Sequence, residues 1–383
     1  MSSWRPRQYE SEGVRREIDR SVLAHALASG RAIIAADPEL PPIFSLRHLA
    51  HVADVNYGLL RSVVSRGLDP YKVFAIRKRP RSPEKKSFRI ICVPSPDLMK
   101  TQRFINARIL ARGRIHPASV AYSKGSSIRE AAAAHCSCRW LIKLDIRNFF
   151  ESISEISVYR VFRSLGYQPL VCLEMARLCT RLGSLTHFRR RSRWTSRFGR
   201  YSGIEAYRNK RIGHLPQGAP TSPMLANLAL YNFDTEVAEI SNRYDLVYTR
   251  YADDLVFSSV SESFGRSKVG TLISDVYAAL RRVGLSPNIS KMHVSPPGTR
   301  KIVLGLLVDG EIPRLPREFR AKMRQHFYYL RKYGAAEHAR RRTFAAVAGL
   351  RNHIEGLVAY AQDVDPDFAN WCKAQLASVS WPL

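Results

Sequence analysis

Tyr251-Ala252-Asp253-Asp254 stands between two apolar runs, Leu246-Val247-Tyr248-Thr249-Arg250 and Leu255-Val256-Phe257-Ser258. The β-branched and aromatic flanks predict two short strands, and the acidic pair falls at the bend of the hairpin they form. Adjacent carboxylates at a tight bend repel one another, which is unfavourable unless a cation lies between them. A hard divalent ion such as Mg²⁺ accepts one or two carboxylates together with water and phosphate oxygens. Read by itself, the dipeptide is equally a solvated Asp-Asp turn. The choice between the two readings comes from the rest of the chain.

The 383 residues carry 61 Lys+Arg against 32 Asp+Glu, a net charge of +29, with 10% aromatic side chains. That length allows one large core or two to three smaller ones. The charge points to a polyanionic partner, because each phosphate neutralised releases counterions and adds affinity independent of base sequence. An anionic membrane surface is the competing partner. No apolar run is long enough to span a bilayer. Residues 1–20 carry both signs of charge and no apolar centre, so neither a signal peptide nor a membrane location is expected, and a cytoplasmic one is. The six cysteines, Cys92, Cys136, Cys138, Cys172, Cys179 and Cys372, follow no disulfide framework. His135-Cys136-Ser137-Cys138 has the look of half a zinc site, but no second ligand pair stands at a suitable spacing.

Several segments supply partners for the acidic pair. Trp140-Leu141-Ile142-Lys143-Leu144-Asp145-Ile146 predicts a buried strand ending at an aspartate, which is costly there unless paired or bound to metal; a hydrogen-bonded turn aspartate is the alternative. It runs on to Phe149-Phe150 and to Ser152-Ile153-Ser154-Glu155, a capping box opening a helix towards Gly166. Leu215-Pro216-Gln217-Gly218-Ala219-Pro220-Thr221-Ser222-Pro223 predicts a bend, with Ser222 capping a helix that continues through Leu225, Leu228, Phe233 and Val237. Residues 71–94 read as strand, basic loop, strand, the tip carrying Arg77, Lys78, Arg79, Arg81, Lys85 and Lys86. Such a tip is suited to a triphosphate or a nucleic-acid backbone, and equally to plain solvent. Residues 187–211 interleave arginine with aromatics (Phe188, Trp194, Phe198, Tyr201), a composition fit for phosphate contact plus base stacking.

Elsewhere a helical period runs over 14–36, ending near Gly30, and helices follow Ser45 and Asn56. That second pair has helix-turn-helix form, although core packing explains it as well. Ile302 to Val308 predicts one strand, 316–333 a basic helix with Phe319, Phe327, Tyr328 and Tyr329, and 337–378 a last helical segment.

The ordered set of motifs resembles a bacterial reverse transcriptase, most of all those of retrons. It comprises Phe88-Arg89-Ile90, Leu144-Asp145 with Phe149-Phe150, the Pro-Gln-Gly loop, Tyr251 to Asp254, Asn288 with Lys291, and Val303-Leu304-Gly305. The resemblance covers about residues 70–310. It implies an α+β right-hand polymerase fold: an N-terminal helical extension (1–70), fingers and palm with an antiparallel sheet backed by helices (71–295), and a helical thumb that binds RNA (296–383). It implies RNA-directed DNA synthesis with two Mg²⁺ ions held by Asp145, Asp253, Asp254 and the Ile146 carbonyl. Phe150 becomes the steric gate against a 2′-hydroxyl. Arg89 and Lys78 become contacts to the incoming triphosphate, Gln217 and Gly218 the lining of the nucleotide pocket, and Lys291 a proton donor to pyrophosphate. The partners implied are a cognate non-coding RNA, its DNA copy and an effector protein encoded nearby, in defence against phage.

Three features depart from the retron pattern. Ala131-Ala132-Ala133-Ala134-His135 keeps the histidine of Asn-Ala-x-x-His but not the asparagine, Leu304 stands where threonine is usual, and the 187–211 insertion is long. They bear on branched priming from a 2′-hydroxyl rather than on polymerisation. Two other readings follow: a defence-associated or mobile-element (group II intron-like) reverse transcriptase without branched priming, and a helix-turn-helix nucleic-acid-binding regulator.

Overall fold

The computed structural model describes residues 4–77, 88–123, 125–183, 194–195 and 204–381. Lys78 and the rest of the basic hairpin tip lie outside the described residues, as does most of the 187–211 stretch. Strands β1 (Tyr71–Arg77) and β2 (Phe88–Pro94) form an antiparallel pair. Strands β3 (Trp140–Asp145), β4 (Val247–Tyr251), β5 (Asp254–Ser259) and β6 (His293–Ser295) form a second sheet in the order β4-β5-β3-β6, antiparallel throughout. With helices packed around these sheets, the architecture is the α+β type expected.

Both faces of the larger sheet are covered, which is why β3 reads as a nearly continuous apolar run. Ile142 and Leu144 point into the main core with Leu255 and Phe257, among helices from both the N-terminal and central parts of the chain. Leu141 and Val256 point the other way, into a second core built by residues 303–372. The alternation of side chains puts Asp145 and Asp254 on that second face, at the edge where neither core covers it.

Several local expectations are revised. The 14–36 period is two helices, Pro6–Arg15 and Arg20–Ala36, separated by Glu17 at φ 58° and restarted by an Asp19 cap on the N–H groups of Ser21 and Val22. Gly30 does not end the second helix; the ring of Trp4 packs where its Cβ would lie. The expected strand 302–308 is a tiny hairpin, β7 (Ile302–Val303) and β8 (Leu306–Leu307), because Leu304 (φ 48°) and Gly305 (φ 88°) both take the left-handed turn. Ser222 does not cap its helix: its hydroxyl donates to the Pro216 carbonyl at 2.6 Å and closes the Pro-Gln-Gly loop. The helix beyond it is interrupted at Leu230, giving Ser222–Ala229 and Tyr231–Arg243. The basic helix runs Arg317–Arg341 with a kink at Gly334, and the last segment divides into Val347–Val364 and Pro366–Ala377. The helices Leu46–Val52 and Tyr57–Val64 bury Leu46, Leu49, Leu60, Val63 and Val64 in the main core, which accounts for their pattern by packing. Among the described residues, no helix is long and apolar enough to cross a membrane.

The capping box is also replaced. Ser154 caps the helix Glu155–Ser164, while Glu155 turns inward. It meets Arg66 at 2.5 Å and Arg177 at 3.2 Å and accepts the Gly213 N–H at 3.0 Å. Burial pushes its pKa up, but the two guanidinium groups and the Gly213 N–H outweigh burial and hold the carboxyl below the usual glutamate range. This knot ties the N-terminal helices to the segment leading into the Pro-Gln-Gly loop. Glu155→Ala, which strands two buried cations, is expected to lower unfolding stability by about 3–5 kcal/mol in urea denaturation. Because the folded carboxyl is the stronger acid, the wild type's advantage should be full at neutral pH and shrink as pH falls below the glutamate range.

Candidate active site

The hairpin β4–β5 closes with Tyr251 opposite Asp254, leaving Ala252 and Asp253 as its two-residue loop; Ala252 sits at φ 55°. In β3, Asp145 lies directly opposite Asp254, and the Ile146 N–H donates to the Asp253 carbonyl at 2.9 Å. Directly opposed residues bring their Cβ atoms to about 4.5–5.5 Å. The three aspartates foreseen from the sequence therefore occupy neighbouring backbone positions at one edge of the sheet, with Ile146 buried beside them.

Asp145 is fully engaged. Its Oδ1 accepts from the Asn288 amide at 2.7 Å, its Oδ2 meets the Lys291 ammonium at 2.5 Å, and its carbonyl accepts the Asn288 N–H at 2.7 Å. Burial and the neighbouring Asp145 raise the pKa of Asp253, while Lys291 and Arg89 oppose them. For Asp254, burial together with the Asp253 and Asp145 charges pushes the value up to about 6. Lys291 alone does not relieve this repulsion. The donor set is all carboxylate oxygen, half-enclosed and short of positive charge, which fits a hard divalent cation. Among the described residues no three acidic, histidine or cysteine side chains stand grouped as metal ligands. Lys291 and Asn288 hold the two Asp145 oxygens that a metal would share.

Of the other foreseen residues, Arg89 lies near enough for its charge to act on Asp253. Phe149 is buried and Phe150 half-buried, their rings edge-to-face at 5.2 Å, after Asn148 in the left-handed region (φ 48°). The Gln217 carbonyl accepts the Cys92 N–H of β2 at 2.7 Å. Gly218 takes φ 108° against Ile91, with room for no Cβ short of displacing that side chain. The Pro-Gln-Gly loop is thus docked on the two-stranded sheet, whose β2 carries the exposed Arg89. Lys78 lies outside the described residues.

Residues 76–307 match the family described as reverse transcriptase (RNA-dependent DNA polymerase). The chain belongs to that family. It is 28% identical over 305 residues to the retron Ec86 reverse transcriptase of Escherichia coli, across 79% of this chain and 83% of that protein. Against the retron Mx162 reverse transcriptase of Myxococcus xanthus the identity is 28% over 306 residues, 76% of this chain and 58% of the relative. A solved telomerase from Candida albicans, in complex with a TWJ fragment of telomeric RNA, aligns with a TM-score of 0.41 at 12% identity, covering 83% of this chain and 57% of that one. The protein is a bacterial, retron-like reverse transcriptase, an RNA-directed DNA polymerase.

The reverse transcriptase site rests on residues that sequence reasoning passed over. Arg250 is fully buried beneath the hairpin. It makes a two-point pair with Asp234 (2.7 and 2.6 Å), donates to the Ala252 carbonyl at 3.2 Å and to Asn227 at 3.3 Å, and reaches the Ser119 hydroxyl at 3.0 Å. Asp234, also fully buried, accepts from Tyr248 at 2.9 Å. The signal available was an acid between Phe233 and Val237 on an apolar helix face, and a cation within an apolar strand. His135 is no zinc ligand: buried, it joins Ser258 of β5 and Thr249 of β4, at 2.7 Å each, and desolvation lowers its pKa to about 4. A neutral imidazole thus clamps the two strands of the hairpin that carries Asp253 and Asp254, and its two nitrogens supply one donor and one acceptor.

The folded enzyme raises the Asp254 pKa to about 6 although the side chain is exposed, so its stabilising contribution is present below pH 3.8 and lost as pH rises through about 6. Without divalent metal, Asp254→Asn should therefore melt higher than wild type by roughly 2–4 °C above pH 7, with the difference vanishing towards pH 4. Magnesium should raise the wild-type melting temperature and leave the variant's nearly unchanged, as read by thermal-shift titration with and without chelator.

Proposed function

We propose that this chain copies a cognate non-coding RNA into single-stranded DNA, leaving an RNA–DNA hybrid, through nucleotidyl transfer at Asp145, Asp253 and Asp254 with two Mg²⁺ ions. The observation that carries the reading is the register of the sheet, which sets Asp145 against Asp254 with Asp253 at the turn between β4 and β5. Bound there, the ions would supply a lowered pKa for the primer hydroxyl and a counter-charge for the departing pyrophosphate. The three carboxylates and the Ile146 backbone are the ligands. Lys291 neutralises Asp145 in the free site and is the residue in reach to give a proton to pyrophosphate.

Arg89, with Lys78 from the hairpin tip, is assigned to the triphosphate, and Gln217 and Gly218 to the wall of the nucleotide pocket. Phe150 is the gate: a rigid ring at that position has no space for a ribose 2′-hydroxyl. In this reading residues 71–295 are fingers and palm, with 1–70 as the helical extension that shares their core. Residues 296–383, built around the second core, are a thumb that rides on the RNA–DNA duplex. Arg317, Arg324 and Arg331 supply its charge. The likeness to retron enzymes supports a partnership with an effector protein in phage defence. It also favours the retron reading over a mobile-element enzyme, despite alanine at 131 and leucine at 304.

Asp253→Asn/Asp254→Asn should abolish deoxynucleotide incorporation, by at least roughly a thousandfold, while RNA binding in a filter or gel-shift assay survives. Synthesis persisting in the double variant would remove these residues from the chemistry. Phe150→Val should admit ribonucleotides, raising their incorporation relative to deoxynucleotides by roughly tenfold to a hundredfold in single-nucleotide extension; unchanged sugar selectivity would place the gate elsewhere.

A further inference from the structure

Tyr122 is a bulky aromatic residue in the left-handed backbone region, at φ 61°, with 43% of its surface exposed. Large side chains rarely tolerate that conformation, and it persists only where the surroundings over-determine it. Here they do. Ala118 and Val120 run alongside β4 as an added parallel edge: the Arg250 N–H donates to the Ala118 carbonyl at 2.7 Å, and the Val120 N–H donates to the Arg250 carbonyl at 3.0 Å. The buried Arg250 side chain donates to the Ser119 hydroxyl, and the Asn227 amide donates to the Ala121 carbonyl at 2.7 Å. Buried groups thus fix the four residues before Tyr122, yet the ring itself is absent from both hydrophobic cores.

The ring faces the catalytic cleft. Its centroid lies 6.2 Å from that of Tyr251, tilted by 42°, and its hydroxyl feels the charges of Asp253 and Arg89. It therefore stands beside the acidic turn and within electrostatic reach of the strand assigned to the triphosphate. A strained backbone that presents a wet aromatic face contributes nothing to folding that a smaller residue would not. Base stacking on an aromatic ring does give such a surface a use, because every base offers a flat face.

We propose that Tyr122, paired with Tyr251, forms a stacking surface for the terminal base pair of the primer–template duplex and so positions the growing end over the carboxylates. The inference rests on the polymerase reading of the site. The stacking is done by the ring and not by the phenol, so phenylalanine should replace tyrosine and small residues should not.

The test is steady-state single-nucleotide extension on a defined RNA template with a DNA primer, using matched and 3′-mispaired ends, alongside thermal melting of the free enzyme. Tyr122→Phe should behave as wild type. Tyr122→Ala should weaken extension efficiency on matched ends roughly tenfold or more, mainly through KM, and should narrow the preference for matched over mispaired ends. Tyr122→Gly, which suits a positive φ, should show the same kinetic loss while melting no lower than wild type. Equal loss in Tyr122→Phe would overturn the stacking account, as would a Tyr122→Ala enzyme with unaltered KM and end discrimination. A kinetic loss in Tyr122→Gly that is matched by a lower melting temperature would make the residue structural, which also overturns the proposal. If the wild-type chain itself fails to extend a matched primer while remaining folded, the polymerase reading falls instead, and the two failures are told apart by that control.

Discussion

The buried pair between Arg250 and Asp234 is the contact on which the rest of the active site leans. Two opposite charges removed from water are worth little as a stability device against apolar residues of the same size, and removing either one alone leaves an uncompensated charge in the core. What the pair contributes is position. One guanidinium reaches the helix Tyr231–Arg243 through Asp234, the helix Ser222–Ala229 through Asn227, the segment before Tyr122 through Ser119, and the acidic turn through the Ala252 carbonyl. Five donors in a fixed plane make this possible, and lysine has no equivalent geometry. The loop that carries Asp253 is therefore held from below by a rigid group, while its acidic side chain stays at the open edge.

Above that support the electrostatics run the other way. Asp253 and Asp254 are held where desolvation and mutual repulsion both disfavour their charges, and Lys291, with Arg89 and Lys143, offsets this only in part. A site arranged in this manner is destabilising in isolation, and a divalent cation bound there would relieve it. Its backbone shows the same tension, since Ala252, Asn148 and Tyr122 all adopt positive φ within the cleft. The same conformation also occurs at turns away from the site, among them Glu17, Arg66 and Leu304.

A second network does for the periphery what Arg250 does for the centre. Tyr207 lies against Arg61 and Arg177, with guanidinium carbons 4.8 and 5.6 Å from its ring, and its hydroxyl donates to Glu174 at 2.7 Å. Arg177 donates to the Tyr207 carbonyl and to Glu155. Tyr207, near the end of the 187–211 stretch, is thereby anchored to Arg61 of the N-terminal helices and to Arg177. Glu155 and Gly213 continue the tie to the Pro-Gln-Gly loop.

The local text of the chain was enough to determine the hairpin at Tyr251 to Asp254, the strand ending at Asp145, the Pro-Gln-Gly bend and the sheet class. Each is written in short-range alternation, turn chemistry or a motif whose spacing follows from its geometry. Charge alone was enough to indicate a polyanionic partner. The tertiary structure decided what those patterns leave open. It turned Glu155 from a helix cap into the centre of an ion-pair knot, Ser222 from a cap into a loop clasp, and His135 from a candidate zinc ligand into a clamp between two strands. In each case a polar side chain had several local partners of similar energy, and the choice fell to whichever distant donor or acceptor became buried beside it. Such choices depend on desolvation, which exists only once the chain has closed around the group.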